Sequence, residues 1–115
     1  MAITRRDMVK LGVSFGSGTI AFKNDELAYV EALRAFPDDD RYDAFKAALA
    51  AENIEQAREA LTDLRSYLAH LSMSELYLQA RELLEALQED ALPPIAELED
   101  FDAAYLRLKE YCATH

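Results

Sequence analysis

The chain has 115 residues, enough for one domain with a hydrophobic core that needs no metal or disulfide to hold it. Apolar residues make up 51% of it, there is no Trp, and Gly and Pro number three each; with abundant Ala, Leu and Glu, the mixture favours a compact, mostly helical protein over a disordered one. The net charge of −10 argues against nucleic acid, which calls for a basic face, and against an anionic membrane surface.

No run of 18 apolar residues exists, so no transmembrane span is expected. Cys112 is the only cysteine and has no internal disulfide partner; no Cys/His spacing suggests zinc. A cytoplasmic location and no cofactor are the expectations.

Residues 4–10, TRRDMVK, followed by LGVSFGSGTIAF, have the look of a twin-arginine export signal. No small-residue cleavage site comes after them, and the chain runs directly into a helical pattern, so the segment is read as the first helix of the domain. Thr4 or Asp7 caps it and it ends near Gly12. A weaker helical segment spans about Gly16 to Phe22, where Gly16 and Gly18 lower the helix propensity by about 1 kcal/mol each.

Asn24 or Asp25 then caps a helix through Phe36, with Leu27, Val30, Leu33 and Phe36 spaced by three. Pro37 breaks it, and the acidic run Asp38 to Asp40 caps the next helix rather than holding a metal. That helix runs from about Arg41 to Ala51 with Tyr42, Phe45, Ala48 and Leu49 inward. A turn at Glu52-Asn53 leads to a helix from Ile54 to Leu71. Ser74 caps the helix after it, and Pro94 opens a last helix that runs through Tyr111. The expected architecture is all-α: an antiparallel up-down four-helix bundle over about 25–112, with N-terminal helical additions over about 4–22, in a single domain. Tyr29, Tyr42, Tyr77, Phe101 and Tyr105 are read as core or groove aromatics.

At about 100° per residue, Ile54, Ala57, Leu61, Leu64, Leu68 and Leu71 fall on one stripe, and Thr62 points about 130° from its centre. Arg58 and Ser66 stand one turn to either side of Thr62, and Arg65 and Ala69 flank the same face. Arginines so placed could pair with a phosphate or carboxylate on a partner. They could equally pair with Glu55 and Glu59 as an ordinary solvated face.

The stretch AALAAENIEQAREALTDLRSYLAHLSMSEL, residues 47–76, resembles the core of histidine-containing phosphotransfer domains. Leu61 takes the place of the small residue before the phosphorylated histidine, and Thr62 takes the place of the histidine itself. Asp63, Leu64, Arg65 and Ser66 stand for the x-Leu-Lys-Gly run, Ser72 for the later Gly and Leu76 for the closing Leu. AALAAEN resembles the turn ahead of the acceptor helix, and GVSFGSGTIAFKNDELAYVEALRAF resembles the N-terminal part of these domains. The resemblance extends from about Gly12 to the last helix.

It implies a phosphorelay module whose partner is a response-regulator receiver domain or a histidine kinase. The departure falls at the acceptor, because a threonine hydroxyl is a weak nucleophile without a base and its phosphate ester is too stable to pass on. A binding module without phosphotransfer activity, not an enzyme, is therefore expected. Its docking surface would comprise Arg58, Leu61, Thr62, Arg65, Ser66 and Ala69. Two alternatives remain open: an active relay using His70, and a helical scaffolding subunit. His70 has Met73 and Ser74 after it, where the family carries Lys and Gly, which disfavours the relay.

Overall fold

The computed structural model describes residues 2–115. Among them are seven α-helices, one 3-10 turn and no strand: α1 (Arg5–Lys10), α2 (Phe15–Ala21), α3 (Glu26–Ala35), the 3-10 turn (Phe36–Asp38), α4 (Arg41–Ala50), α5 (Ile54–His70), α6 (Ser74–Gln88) and α7 (Ile95–Thr114). The protein is thus all-helical.

Most helix starts have a local cause. Thr4, Asp25 and Asn53 each accept a backbone N–H from the residue three positions on, those of Asp7, Ala28 and Gln56. The acidic run caps α4 through Asp39, whose carboxylate accepts the Arg41 N–H at 2.9 Å; Asp40, at the cap position itself, makes no such bond. Ser74 does not cap α6 as expected. It is the first helical residue, and its hydroxyl is bonded to that of Ser14 at 2.6 Å. Pro94 stands at the cap position of α7, which continues three residues beyond Tyr111.

α4, α5 and α6 each pack on the helix next in sequence. Two of the connections, 51–53 and 71–73, are only three residues long, so the chain doubles back at each. The three connections between α4 and α7 each turn through a non-glycine residue in the left-handed region: Glu52 at φ 54°, Ser72 at 56° and Asp90 at 57°. α7 returns to the start of α4 through aromatic side chains. Tyr42 stacks on Tyr105 with ring centroids 4.0 Å apart, and Phe36 lies 5.0 Å from Tyr105. Beside this stack, Asp102 accepts from the Tyr42 hydroxyl at 2.5 Å and from Lys46 at 2.7 Å.

The core contains Ala57, Leu61, Leu64 and Leu68 from α5, Leu76, Ala80, Leu83, Leu84 and Leu87 from α6, and Phe101, Tyr105 and Leu108 from α7. The spacing by three holds at Leu33 and Phe36, both fully buried, and fails at Leu27. Leu27 is 78% exposed, whereas Tyr29 is fully buried with Leu33. A helix turns 100° per residue, so a spacing of three repeated three times drifts by about 180° and cannot hold one face.

Tyr29 ties the N-terminal helices to the rest. Its hydroxyl donates to the Leu71 carbonyl at 2.7 Å at the end of α5, and its ring packs between Phe15 and Phe22. The twin-arginine segment lies in α1, where Met8 is fully buried. The Tyr111 hydroxyl accepts the Thr4 N–H and donates to Asp7, which holds the Asp7 carboxyl below its ordinary value. Gly12, at φ 81°, has the Glu75 side chain against its Cα, and the Glu75 N–H donates to the Gly12 carbonyl.

The two helical glycines of α2 differ in what surrounds them. A Cβ on Gly18 would lie 2.0 Å from Tyr29 Cζ, inside the core, while a Cβ on Gly16 would meet only the mobile tip of Arg5. Gly18→Ala is expected to destabilise the protein by about 1–3 kcal/mol through overpacking. Gly16→Ala should be neutral or stabilising by up to about 1 kcal/mol, because it gains helix propensity. Urea unfolding of the two variants beside the parent checks both values.

Candidate functional site

α5 is the helix on which the expected site residues lie, and its rotation is fixed by its leucines. Ala57, Leu61, Leu64 and Leu68 are fully buried, which leaves Thr62, Ser66 and Ala69 exposed on the outer side, as the angular reading requires. Leu61 is the correction within the expected docking set. It is 0% exposed and belongs to the core stripe, so it offers no surface for docking.

Both arginines turn toward α6 rather than outward or toward Glu55 and Glu59. Arg58 donates through Nε and Nη2 to the Leu87 carbonyl, at 3.2 and 2.8 Å, and pairs with Asp90 at 2.7 Å. It thereby caps the C-terminal turn of α6, where carbonyls lack intrahelical donors and the helix dipole favours a cation. Arg65 lies with its guanidinium carbon 5.9 Å from the Tyr77 ring centroid, a cation–π placement. Neither partner can be read from the α5 sequence, since both are on the next helix.

Thr62 has its hydroxyl donated to the Arg58 carbonyl one turn back, at 2.8 Å, and Ser66 makes the same bond to the Thr62 carbonyl at 3.2 Å. The Thr62 proton thus faces a backbone acceptor and not a general base. A shallow hollow of about 440 Å³ beside it is lined by Arg58, Glu59, Thr62, Asp63 and Ser66. The carboxylates of Glu59 and Asp63 border this hollow, so a phosphoryl group there would meet like charge while Arg58 remains engaged with α6.

His70 is exposed at the end of α5 with its ring 5.1 Å from that of Phe22. It is spatially separate from Thr62, two turns along the same helix. Beyond Ala69 a second hollow, about 330 Å³, is lined by Ser14, Ser17, Ala69, Ser72, Met73, Ser74, Tyr77 and Leu78. Its lining carries no charged side chain, and Leu78 is 51% exposed at its edge. The sequence alone does not show this hollow, because α2 and the α5–α6 turn, distant in sequence, form it jointly.

Cys112 is no candidate nucleophile: burial pushes its thiol up to about 12. Burial first, and the Asp102 carboxylate second, raise the Tyr42 hydroxyl well above its ordinary value, so it stays a proton donor. Among the described residues no group of three or more His, Cys, Asp or Glu is placed to hold a metal, and no helix is long and apolar enough to cross a membrane. Comparison of the chain with protein-family models, with curated proteins and with solved structures returned no match.

The two arginines should separate by stability. Arg58→Ala removes a charged donor from the end of α6 and is expected to cost about 1–2 kcal/mol, whereas Arg65→Ala should stay within about 0.5 kcal/mol. Chemical denaturation of both variants checks the ranking.

Proposed function

We propose that α4 to α7 form an antiparallel four-helix bundle of the histidine-phosphotransfer type, and that the protein is a binding module without phosphotransfer activity. In this reading it acts in the cytoplasm and docks a response-regulator receiver domain or a histidine kinase. The observation that carries the reading is the outer face of α5. Thr62, Ser66 and Ala69 form an exposed strip of short side chains, with Leu78 of α6 beyond its far end.

Short side chains let a partner's backbone approach closely, and Leu78 and Tyr77 offer apolar surface beside them. Arg65 supplies a cation near that surface through its place over Tyr77. Arg58 and Leu61 drop out of the contact set: the first shapes the end of α6 and the second supports the strip from beneath.

Loss of the relay follows from the chemistry at Thr62. Phosphohistidine exchange needs an imidazole nitrogen that attacks a phosphoryl group and releases it again with little change in free energy. Thr62 offers an alcohol whose proton is donated to the Arg58 carbonyl, and it carries no imidazole nitrogen. The sequestration of a receiver, or the blocking of a kinase, needs only the docking surface.

The test is to incubate the protein with receiver domains and histidine kinases of its source organism, phosphorylated with radiolabelled phosphate. Stable binding without acid-labile label on this chain is the expected result. Ala69→Arg should weaken that binding at least ten-fold while the helical circular dichroism is kept. Label that is lost in His70→Ala would establish the relay instead, and failure to bind any receiver or kinase would leave the scaffolding alternative.

A further inference from the structure

With Arg58 held at the end of α6 and Arg65 over Tyr77, the carboxylates of Glu55, Glu59 and Asp63 stand as an exposed row on the outer side of α5, and its Glu59 and Asp63 reach the α4 side. They are four residues apart, so the row rises about 6 Å per step. Like charges at that spacing oppose helix formation. Glu55 and Glu59 make no ion pair among the described residues. Asp63 has Arg41 at 3.5 Å, but that guanidinium is already paired with Asp39 and stacked on Tyr67.

Glu59 and Asp63 border a groove of about 450 Å³ between α4 and α5 whose other lining residues are Ala44, Ala47, Ala48, Ala60 and Gln56. Asp43, also exposed, precedes Ala44 on α4. An alanine floor between two helices lets the ridge of a third helix settle close to both backbones. Carboxylates along one edge set the charge that helix must carry.

We propose that the α4–α5 groove is a docking site for an amphipathic helix of a partner protein, with lysines or arginines four residues apart beside a seam of small apolar residues. The row and the groove are complementary to such a helix in both charge and spacing, and the net charge of −10 draws a cationic partner toward the molecule. A second copy of this chain carries the same −10 and is repelled. The inference does not rest on the receiver-docking reading, which uses Thr62, Ser66 and Ala69.

The probe is a synthetic 16-residue Ala/Leu helix with lysines at i, i+4 and i+8, titrated into the 15N-labelled full chain; a glutamate counterpart serves as control. Saturable shifts of the Ala44, Ala47, Gln56 and Ala60 amides are expected with the lysine peptide alone. The Glu59→Gln/Asp63→Asn pair should weaken binding by about five-fold. Glu97→Gln/Asp100→Asn, which removes the same charge from exposed positions of α7, should leave it within about two-fold, and Ala47→Tyr should obstruct the groove. Equal weakening by both neutralised pairs, shifts centred elsewhere, or no saturation would overturn the proposal. Ala69→Arg should leave this titration unchanged, so the two readings fail separately.

Discussion

Burial of the α5 leucines governs the placement of nearly every polar group on that helix. Each fully buried leucine contributes about 1.5–3 kcal/mol, against a few tenths for an exposed ion pair. The leucines therefore set the rotation of the helix, and the charged side chains take what directions remain. Of those, the one toward α6 offers carbonyls at a helix end and an aromatic face, both favourable to guanidinium groups. The arginines go there, and the carboxylates are left on the outer side, with Glu59 and Asp63 beside α4 and its alanines.

A second constraint comes from Tyr29. Its ring has no space to spare against Gly18, and its hydroxyl meets the carbonyl at the end of α5. The N-terminal helices are thus held against the α5–α6 turn, with Ser14 bonded to Ser72 and Ser74. The uncharged hollow next to Ala69 exists because of this seam, so the surface available at the end of α5 is shared between segments as much as 60 residues apart in sequence.

Helix starts and the hydrophobic stripe of α5 are legible in the sequence because their causes are local. Thr4, Asp25 and Asn53 sit within three residues of the groups they cap, and the stripe is a matter of angle along one helix. Leu27 shows where local reasoning fails: several phases fit a short helix, and only the neighbouring elements decide that Leu27 faces outward. Arg58 shows a different limit. Its partners lie 29 and 32 residues away, and nothing in the pattern of α5 distinguishes them from Glu55 or Glu59. The resemblance to a phosphotransfer motif puts Leu61 in the expected docking set, but the same leucine periodicity that turns Thr62 outward buries it.

Neighbour-on-neighbour packing of α4 to α7 also bears on how the chain reaches this structure. Three-residue reversals close with little loss of chain entropy, and each doubling of a loop adds about 0.6 kcal/mol. The contact between Thr4 and Tyr111 spans 107 residues, and that between Tyr42 and Asp102 spans 60. Contacts between adjacent helices can therefore form early and fast, while the two tyrosine-centred closures wait for the helices that present them. The longest closure, between Thr4 and Tyr111, joins α1 to the last helix and needs both ends of the chain in place.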